Sequence, residues 1–262
     1  MDFLNIKDKT FFVAGVANKK SVAYFSAKTL MENGACCIFS VQSETQLEAV
    51  KKLFPESEII VCDVENKEHL KTLPEKIKTN LDGLLHSLAF ANFSEGVKPF
   101  HETKREDYLQ AAQISSFSLV ELANTLKDKL TPESSIVTIS ISNTKATSYG
   151  YLGPIKAMLD ATVPFLAKSF SEFSKIRVNA VGAGPLKTSA SAGIPDYIDN
   201  YLFAEELTMR KEALQTQEVA NTVCFLLSPK SSGINASTVL VDAGMSSNYF
   251  DQNVVKTFTK NK

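Results

Sequence analysis

The chain reads as an α/β protein, a doubly wound parallel sheet of about seven strands with helices on both faces. Three observations predict this. Short apolar, β-rich runs alternate with helix-period stretches along the whole 262-residue chain. The strand runs are near-continuously apolar rather than alternating, so both of their faces are covered, as in a parallel sheet flanked by helices. No long repeat, low-complexity segment or Pro/Gly-rich linker breaks the order, which favours one domain over 1–262. Right-handed crossovers then place a ligand crevice at the carboxyl ends of the strands, where the strand order reverses.

Thr10–Ala14 is the first strand and runs into Gly15-Val-Ala-Asn-Lys-Lys-Ser21. Ser21 opens a helix whose buried side carries Val22, Phe25, Ala27, Leu30 and Met31, and Asn33-Gly34 stops it. Cys36–Val41 is a second strand and Glu44–Phe54 a second helix. Glu58–Val61 is a third strand, ending in Cys62-Asp63-Val64, and Lys67–Lys78 a third helix. Asp82-Gly83 reads as a turn, which places the fourth strand at Leu84–Ser87. A long helical stretch covers Lys104–Asp128, followed by a strand at Ser135–Ser140. A helix is expected from about Pro154 to Phe173, because proline suits a first turn and not an interior. A strand at Ile176–Ala180, a helix at Gln217–Leu227 and a strand at Ser237–Val241 complete the order.

Charge and composition exclude several functions. A net charge of -1 with interspersed signs argues against a nucleic-acid face. No apolar run reaches the roughly 20 residues of a membrane span, and MDFLNIKDKT lacks a signal-peptide core, so a cytoplasmic protein is expected. The four cysteines form no CxxC, and His69, His86 and His101 are scattered, so no metal site is expected.

The candidate chemistry lies at predicted carboxyl ends. Gly15 to Val22 joins the first strand to the first helix, where a dinucleotide pyrophosphate would meet backbone N–H groups and the helix dipole. The loop is not GxGxxG, and Ser21 reads equally as a plain helix cap. The second strand ends in Ser40-Val41-Gln42-Ser43, with neither the acid that binds ribose hydroxyls nor the arginine that favours a 2′-phosphate. Gln42 can bond a ribose or adenine edge, and the absence of a nearby cation leans towards NADH over NADPH, although Lys19 and Lys20 are within reach of a phosphate. Asp63 is either an acceptor for an adenine amino group or the cap of the next helix. After the fifth strand come Tyr149, Tyr151 and Lys156, a phenol and ammonium set suited to acid catalysis.

Taken together, Gly15-Val-Ala-Asn-Lys-Lys-Ser-Val-Ala-Tyr24, Cys62-Asp-Val64, His86-Ser-Leu-Ala-Phe-Ala91, Ile114-Ser-Ser-Phe117, Lys156-Ala-Met-Leu-Asp-Ala161, Arg177-Val-Asn-Ala180 and Ala183-Gly-Pro-Leu-Lys-Thr188 form an ordered pattern. From about Phe3 to Met245 it resembles the NADH-dependent enoyl-acyl-carrier-protein reductases, a divergent branch of the short-chain dehydrogenase/reductase superfamily with a Rossmann-like fold. GVAxxxS stands for the usual glycine-rich loop and Tyr-x6-Lys for the usual Tyr-x3-Lys, with Leu152 at the common tyrosine position. The resemblance implies that Gly15, Ser21 and Val22 contact the pyrophosphate, and that Gln42, Asp63 and Val64 hold the adenosine half. It implies that Leu88 lies along the nicotinamide ribose, that Lys156 bonds its hydroxyls, and that Leu186 and Thr188 seat the carboxamide and phosphates. Tyr149 would face the oxygen of an enoyl thioester on acyl carrier protein or coenzyme A, with Tyr151 as the second candidate donor. Ala91, Ala190, Tyr201 and Phe203 would line the acyl chain. It further implies fatty acid biosynthesis as the setting and a homotetramer packed through the helices from Lys104 and Pro154.

The segment 189–206 reads as a substrate lid, small at first and then apolar through Ile194, Tyr197, Ile198, Tyr201, Leu202 and Phe203. The other reading is an amphipathic helix packed on the body. Ile141 stands where the family carries a second tyrosine, in a loop about two residues shorter, and Ala89 and Ala243 replace family glycines. Two other functions stay open: a reductase of the same superfamily acting on another carbonyl or enone, and a dinucleotide-binding sensor without catalysis.

Overall fold

The computed structural model describes residues 3–96, 98–188, 191 and 197–260, with backbone alone at 258 and 260. Its elements follow the chain as β1 (Thr10–Ala14), α1 (Val22–Glu32), β2 (Cys36–Val41), α2 (Glu44–Lys51), β3 (Ile59–Val61), α3 (Lys67–Lys76) and β4 (Leu81–His86). Then come α4 (Arg105–Ala112), a π-helical segment (Gln113–Phe117), α5 (Ser118–Leu126), β5 (Leu130–Ile141), α6 (Leu152–Ser171) and β6 (Arg177–Ala183). The last are α7 (Tyr197–Leu207), α8 (Thr216–Leu227), β7 (Thr238–Val241) and α9 (Gln252–Lys260).

The seven strands form one parallel sheet in the order β3-β2-β1-β4-β5-β6-β7. Strand alternation divides the core between its two faces. Phe11 and Val13 pack with α1 and α8, while Phe12 and Ala14 pack with α3, α5 and α6. The order reverses between β1 and β4, so the connections leaving their carboxyl ends run to opposite faces of the sheet and a crevice opens above them.

Three expectations change. Asp82-Gly83 is no turn but lies inside β4, which starts at Leu81. The Asp82 carboxylate accepts from Thr10 N–H (2.9 Å) and Lys9 Nζ (3.0 Å), and a Cβ on Gly83 would stand 2.7 Å from the Ser135 carbonyl oxygen. The pair therefore ties neighbouring strands together instead of reversing the chain. The stretch expected as one helix from Lys104 to Asp128 is interrupted by the π-helical segment. Helix α6 starts at Leu152, two residues before Pro154, so the proline sits within its first turn, where its missing N–H costs nothing.

Candidate active site

The carboxyl edges of the strands open into a cleft of about 510 Å³, within the range of roughly 300–1,000 Å³ usual for small-molecule sites. Gly15, directly after β1, has φ +103°, and a Cβ there would lie 2.1 Å from the Ser87 carbonyl oxygen. Only glycine permits this approach of the two strand ends. Ser21 then caps α1: its hydroxyl accepts from Tyr24 N–H at 3.2 Å and donates to Asn18 O at 2.9 Å. Ser21 and Val22 also line the cleft, so cap and cleft wall are the same residues. Free N–H groups of a first helical turn favour an anion, so this end of α1 is suited to a phosphate.

Gln42, Asp63 and Val64 line the next part of the cleft. Gln42 N–H donates to Gln46 Oε1 (2.9 Å). Asp63 does not cap α3; Asn66 does, accepting from Glu68 and His69 N–H. Instead Asp63 N–H donates to His69 Nδ1 (3.1 Å), and its carboxylate accepts from Glu65 N–H (3.0 Å). Gln110 reaches across from α4 and donates to both Glu65 carboxylate oxygens, at 3.1 and 3.2 Å, closing this end. Among the described residues that line the cleft, Lys156 is the one Lys or Arg.

At the opposite end stand Leu88, Tyr149, Lys156, Leu186 and Thr188. Lys156, 5% exposed, donates from Nζ to Ile139 O (2.8 Å) and more weakly to Leu88 O (3.4 Å). An ammonium has three donors, so one remains for a ligand. Burial lowers Lys156 to about 8, partly offset by the Asp160 carboxylate one turn on. Beneath it, His86 is wholly buried between Thr138 Oγ1 and Ser118 Oγ, both at 2.8 Å. Burial, with Lys156 second, lowers it to about 3, so it is a neutral structural group.

The two tyrosines part company. Tyr149 ends a 3₁₀ turn (Thr147–Tyr149) and lines the cleft, its phenol pushed above the usual range by burial and secondarily by Tyr197. Tyr151 is 7% exposed, and its hydroxyl accepts from Asn92 N–H (2.8 Å) and donates to Asn92 O (3.1 Å). It packs on Phe93 and Tyr108 and borders a separate hollow of about 40 Å³. The candidacy of Tyr151 as donor therefore meets a locked side chain outside the cleft.

The acyl-side expectations fare unevenly. Ala190 lies outside the described residues. Ala91 packs with Tyr151 and Ile155 rather than lining the cleft. Tyr201 is buried in α7 beneath Lys187 Nζ, 4.4 Å from its ring centroid, and Phe203 is 53% exposed. Neither lines the cleft: Phe203 belongs with Ile198 and Leu202 to the exposed residues of α7, and Tyr201 is buried away from it. Tyr197 does line it, and its hydroxyl bonds the backbone of Leu186. Sequence reasoning passed over Tyr197 as a generic apolar lid residue. It also passed over Phe90 and Ile114. Ser115 Oγ accepts from Phe90 N–H (2.8 Å) and donates to Phe90 O (3.0 Å), fixing the π-helical segment against the cleft. Serines at 115 and 118 inside a helical run were the available signal.

Among the described residues no three His, Cys, Asp or Glu side chains gather as a metal site, and no helix is long and apolar enough to cross a membrane.

Comparison with known proteins agrees with this geometry. Residues 15–246 match the family model described as Enoyl-(Acyl carrier protein) reductase. The chain is 36% identical to the NADH-named enoyl-[acyl-carrier-protein] reductase of Enterococcus faecalis, over 92% of this chain and 98% of that one. It is also 36% identical to the NADPH-named enzyme of Staphylococcus aureus, with the same coverage. In structure it is similar to FabI from Candidatus Liberibacter asiaticus, with a TM-score of 0.88 and 29% identity over 93% of this chain and 97% of the other. It is similar too to the Bacillus cereus enoyl-acyl carrier protein reductase solved with NADP+ and indole naphthyridinone, with a TM-score of 0.85 and 33% identity over 91% and 96%.

Proposed function

The chain belongs to the enoyl-(acyl carrier protein) reductase family, and from that premise we propose that it reduces the trans-2 double bond of enoyl thioesters in fatty acid biosynthesis, taking NADH as its cofactor. The observation that carries this reading is one continuous cleft. A glycine turn and helix N-terminus stand in its middle, with Gln42, Asp63 and Val64 towards one end and Tyr149 and Lys156 towards the other. Gly15 fits a dinucleotide because the turn is closed to any side chain and open to backbone contact.

When bound, the nicotinamide supplies the hydride. The chain supplies position and charge. Gly15, Ser21 and Val22 hold the pyrophosphate, Gln42, Asp63 and Val64 the adenosine, and Leu88, Leu186 and Thr188 the nicotinamide half. The remaining N–H of Lys156 bonds the ribose hydroxyls. Addition at the β-carbon places negative charge on the thioester oxygen, and Tyr149 donates its hydrogen bond there. The Lys156 ammonium favours the charged form of that site. The preference for NADH over NADPH is supported by Gln42 and by a cleft whose one described cation, Lys156, stands at the far end from it.

Acyl carrier protein or coenzyme A carries the substrate of a single-domain enzyme that works in the cytoplasm in this reading; of the segment 189–206 expected as its lid, residues 189, 190 and 192–196 lie outside the described residues. A homotetramer is supported by exposed Leu109, Phe117, Met158 and Phe165 along the α4–α5 run and α6.

Following NADH absorbance with a crotonyl or longer enoyl thioester tests the proposal. Turnover is expected in the wild type, with a loss of about 10²–10³ in kcat for Tyr149→Phe, as for removal of one oxyanion donor, and little change in NADH affinity. Tight NADH binding without turnover of any enoyl thioester overturns it and favours a sensor.

A further inference from the structure

The Tyr197 hydroxyl makes an unusual pair of bonds. It accepts from Leu186 N–H at 2.8 Å and donates to Leu186 C=O at 2.9 Å. Ser191 Oγ also donates to that carbonyl, at 2.8 Å, and accepts from Thr188 N–H at 2.9 Å. Every backbone polar group of Leu186 is thus engaged by a side chain that begins or precedes α7. A primary carboxamide offers the same chemistry as this hydroxyl, one acceptor and at least one donor in a small planar group. Leu186 is the residue assigned to the carboxamide under the proposed function, so the two groups compete for one seat.

We propose that Tyr197 is a placeholder for the nicotinamide carboxamide: its hydroxyl occupies the Leu186 N–H and C=O in the free enzyme and is displaced when the dinucleotide enters. The inference rests on the reading of Leu186 as the carboxamide seat. It explains why a phenol with a fully satisfied hydroxyl lines a cleft in which it has no chemical step. It also ties cofactor entry to movement at the start of α7. The released phenol stands in the same cleft as Tyr149, so cofactor binding rearranges the donor's surroundings before substrate arrives.

Tyr197→Phe keeps the ring and removes the competing hydroxyl. Calorimetric titration of the full chain with NADH and, separately, with ADP-ribose, which has no nicotinamide, reads the effect. The variant is expected to bind NADH about fivefold more tightly, the factor of one net hydrogen bond that no longer has to be broken, and to bind ADP-ribose as the wild type does. Unchanged or weaker NADH binding overturns the proposal and makes Tyr197 a fixed wall or a direct cofactor contact. An equal gain for both ligands also overturns it, since the hydroxyl then acts on the cleft as a whole. Failure of both ligands to bind either protein, with folding intact by circular dichroism, removes the dinucleotide reading itself, a result distinct from the other two.

Discussion

Gly15→Ala tests the close approach at the heart of the cleft. At φ +103° the new methyl group would stand 2.1 Å from the Ser87 carbonyl oxygen, against about 3.4 Å for ordinary contact. Roughly 1.3 Å of separation must therefore come from two backbones. Neither yields easily: β1 and β4 pair from Phe11–Gly83 to Ala14–His86, and Ser87 N–H donates to Ala14 O at 3.0 Å. The backbone conformation costs about 1–3 kcal/mol for any L-residue, and losing the Ser87–Ala14 bond adds about 1 kcal/mol. A destabilisation of about 2–4 kcal/mol follows, equivalent to a fall in Tm of about 4–8 °C for a chain of this size. Differential scanning calorimetry of wild type and variant measures it. Calorimetric titration should show NADH affinity lost in parallel, because the N–H groups of the turn move with the strand end. A Tm within about 2 °C of wild type, or full NADH affinity, would refute the argument that this turn is closed to side chains.

Three further outcomes are expected. Burial holds Lys156 at about 8, whereas an unfolded lysine releases its proton near 10.4. Between those values the unfolded state binds more protons, so the lysine's contribution to stability rises with pH. Wild type should gain on the order of 3 kcal/mol on Lys156→Met in urea unfolding between about pH 8 and pH 10.5, and a flat difference would show the ammonium to be solvated. Gln42→Arg should shift the ratio of kcat/KM for NADPH over NADH upwards by about tenfold or more, through a charge-assisted bond to the 2′-phosphate. An unchanged ratio would place the adenosine ribose away from residue 42. Tyr151→Phe leaves Asn92 N–H and C=O without their partner, and should cost about 1–3 kcal/mol of stability while kcat changes less than in Tyr149→Phe. The reverse ranking of the two kcat values would identify Tyr151 as the donor.

How far the sequence carried depended on whether the deciding forces were local. Thr10–Ala14 and Cys36–Val41 are bounded as read, because a parallel strand covered on both faces has a continuous apolar run with abrupt ends. Ser21 and Asn33-Gly34 bracket α1 because caps act through neighbouring backbone. Asp82-Gly83 misleads for the opposite reason. Its turn-like composition serves contacts with Lys9, Thr10 and Ser135, the nearest of them more than fifty residues away in the chain. The same holds at the site. Gly15 and Lys156 stand out by position after a strand and by spacing, whereas Tyr197 gains its place in the cleft wall from Leu186, 11 residues earlier, a pairing that composition does not specify. Phe203 looked like an acyl contact by its chemistry alone, and the phase of α7 turns it outward.

Gly150 decides which of two adjacent phenols reaches the cleft. It has φ +59° and ψ -152°, a combination open to glycine and closed to other residues by their own Cβ. Space is not the constraint, since a Cβ there would meet Phe93 at 3.5 Å, an ordinary contact. The constraint is direction. Tyr149 ends the 3₁₀ turn with its N–H on Ala146 O (3.0 Å) and belongs to the cleft, and one residue beyond the glycine Tyr151 already caps α6 and is held by Asn92. A regular helix through 149–156 would place Tyr149 and Lys156 on one face, seven residues apart. The break at Gly150 instead lets the helix fix Lys156 rigidly while Tyr149 sits on the loop that approaches it. The proposed donor, Tyr149, and the cation are thus set by different constraints, the one by a turn and the other by two backbone carbonyls. That separation is what a spacing of seven, rather than four, makes possible.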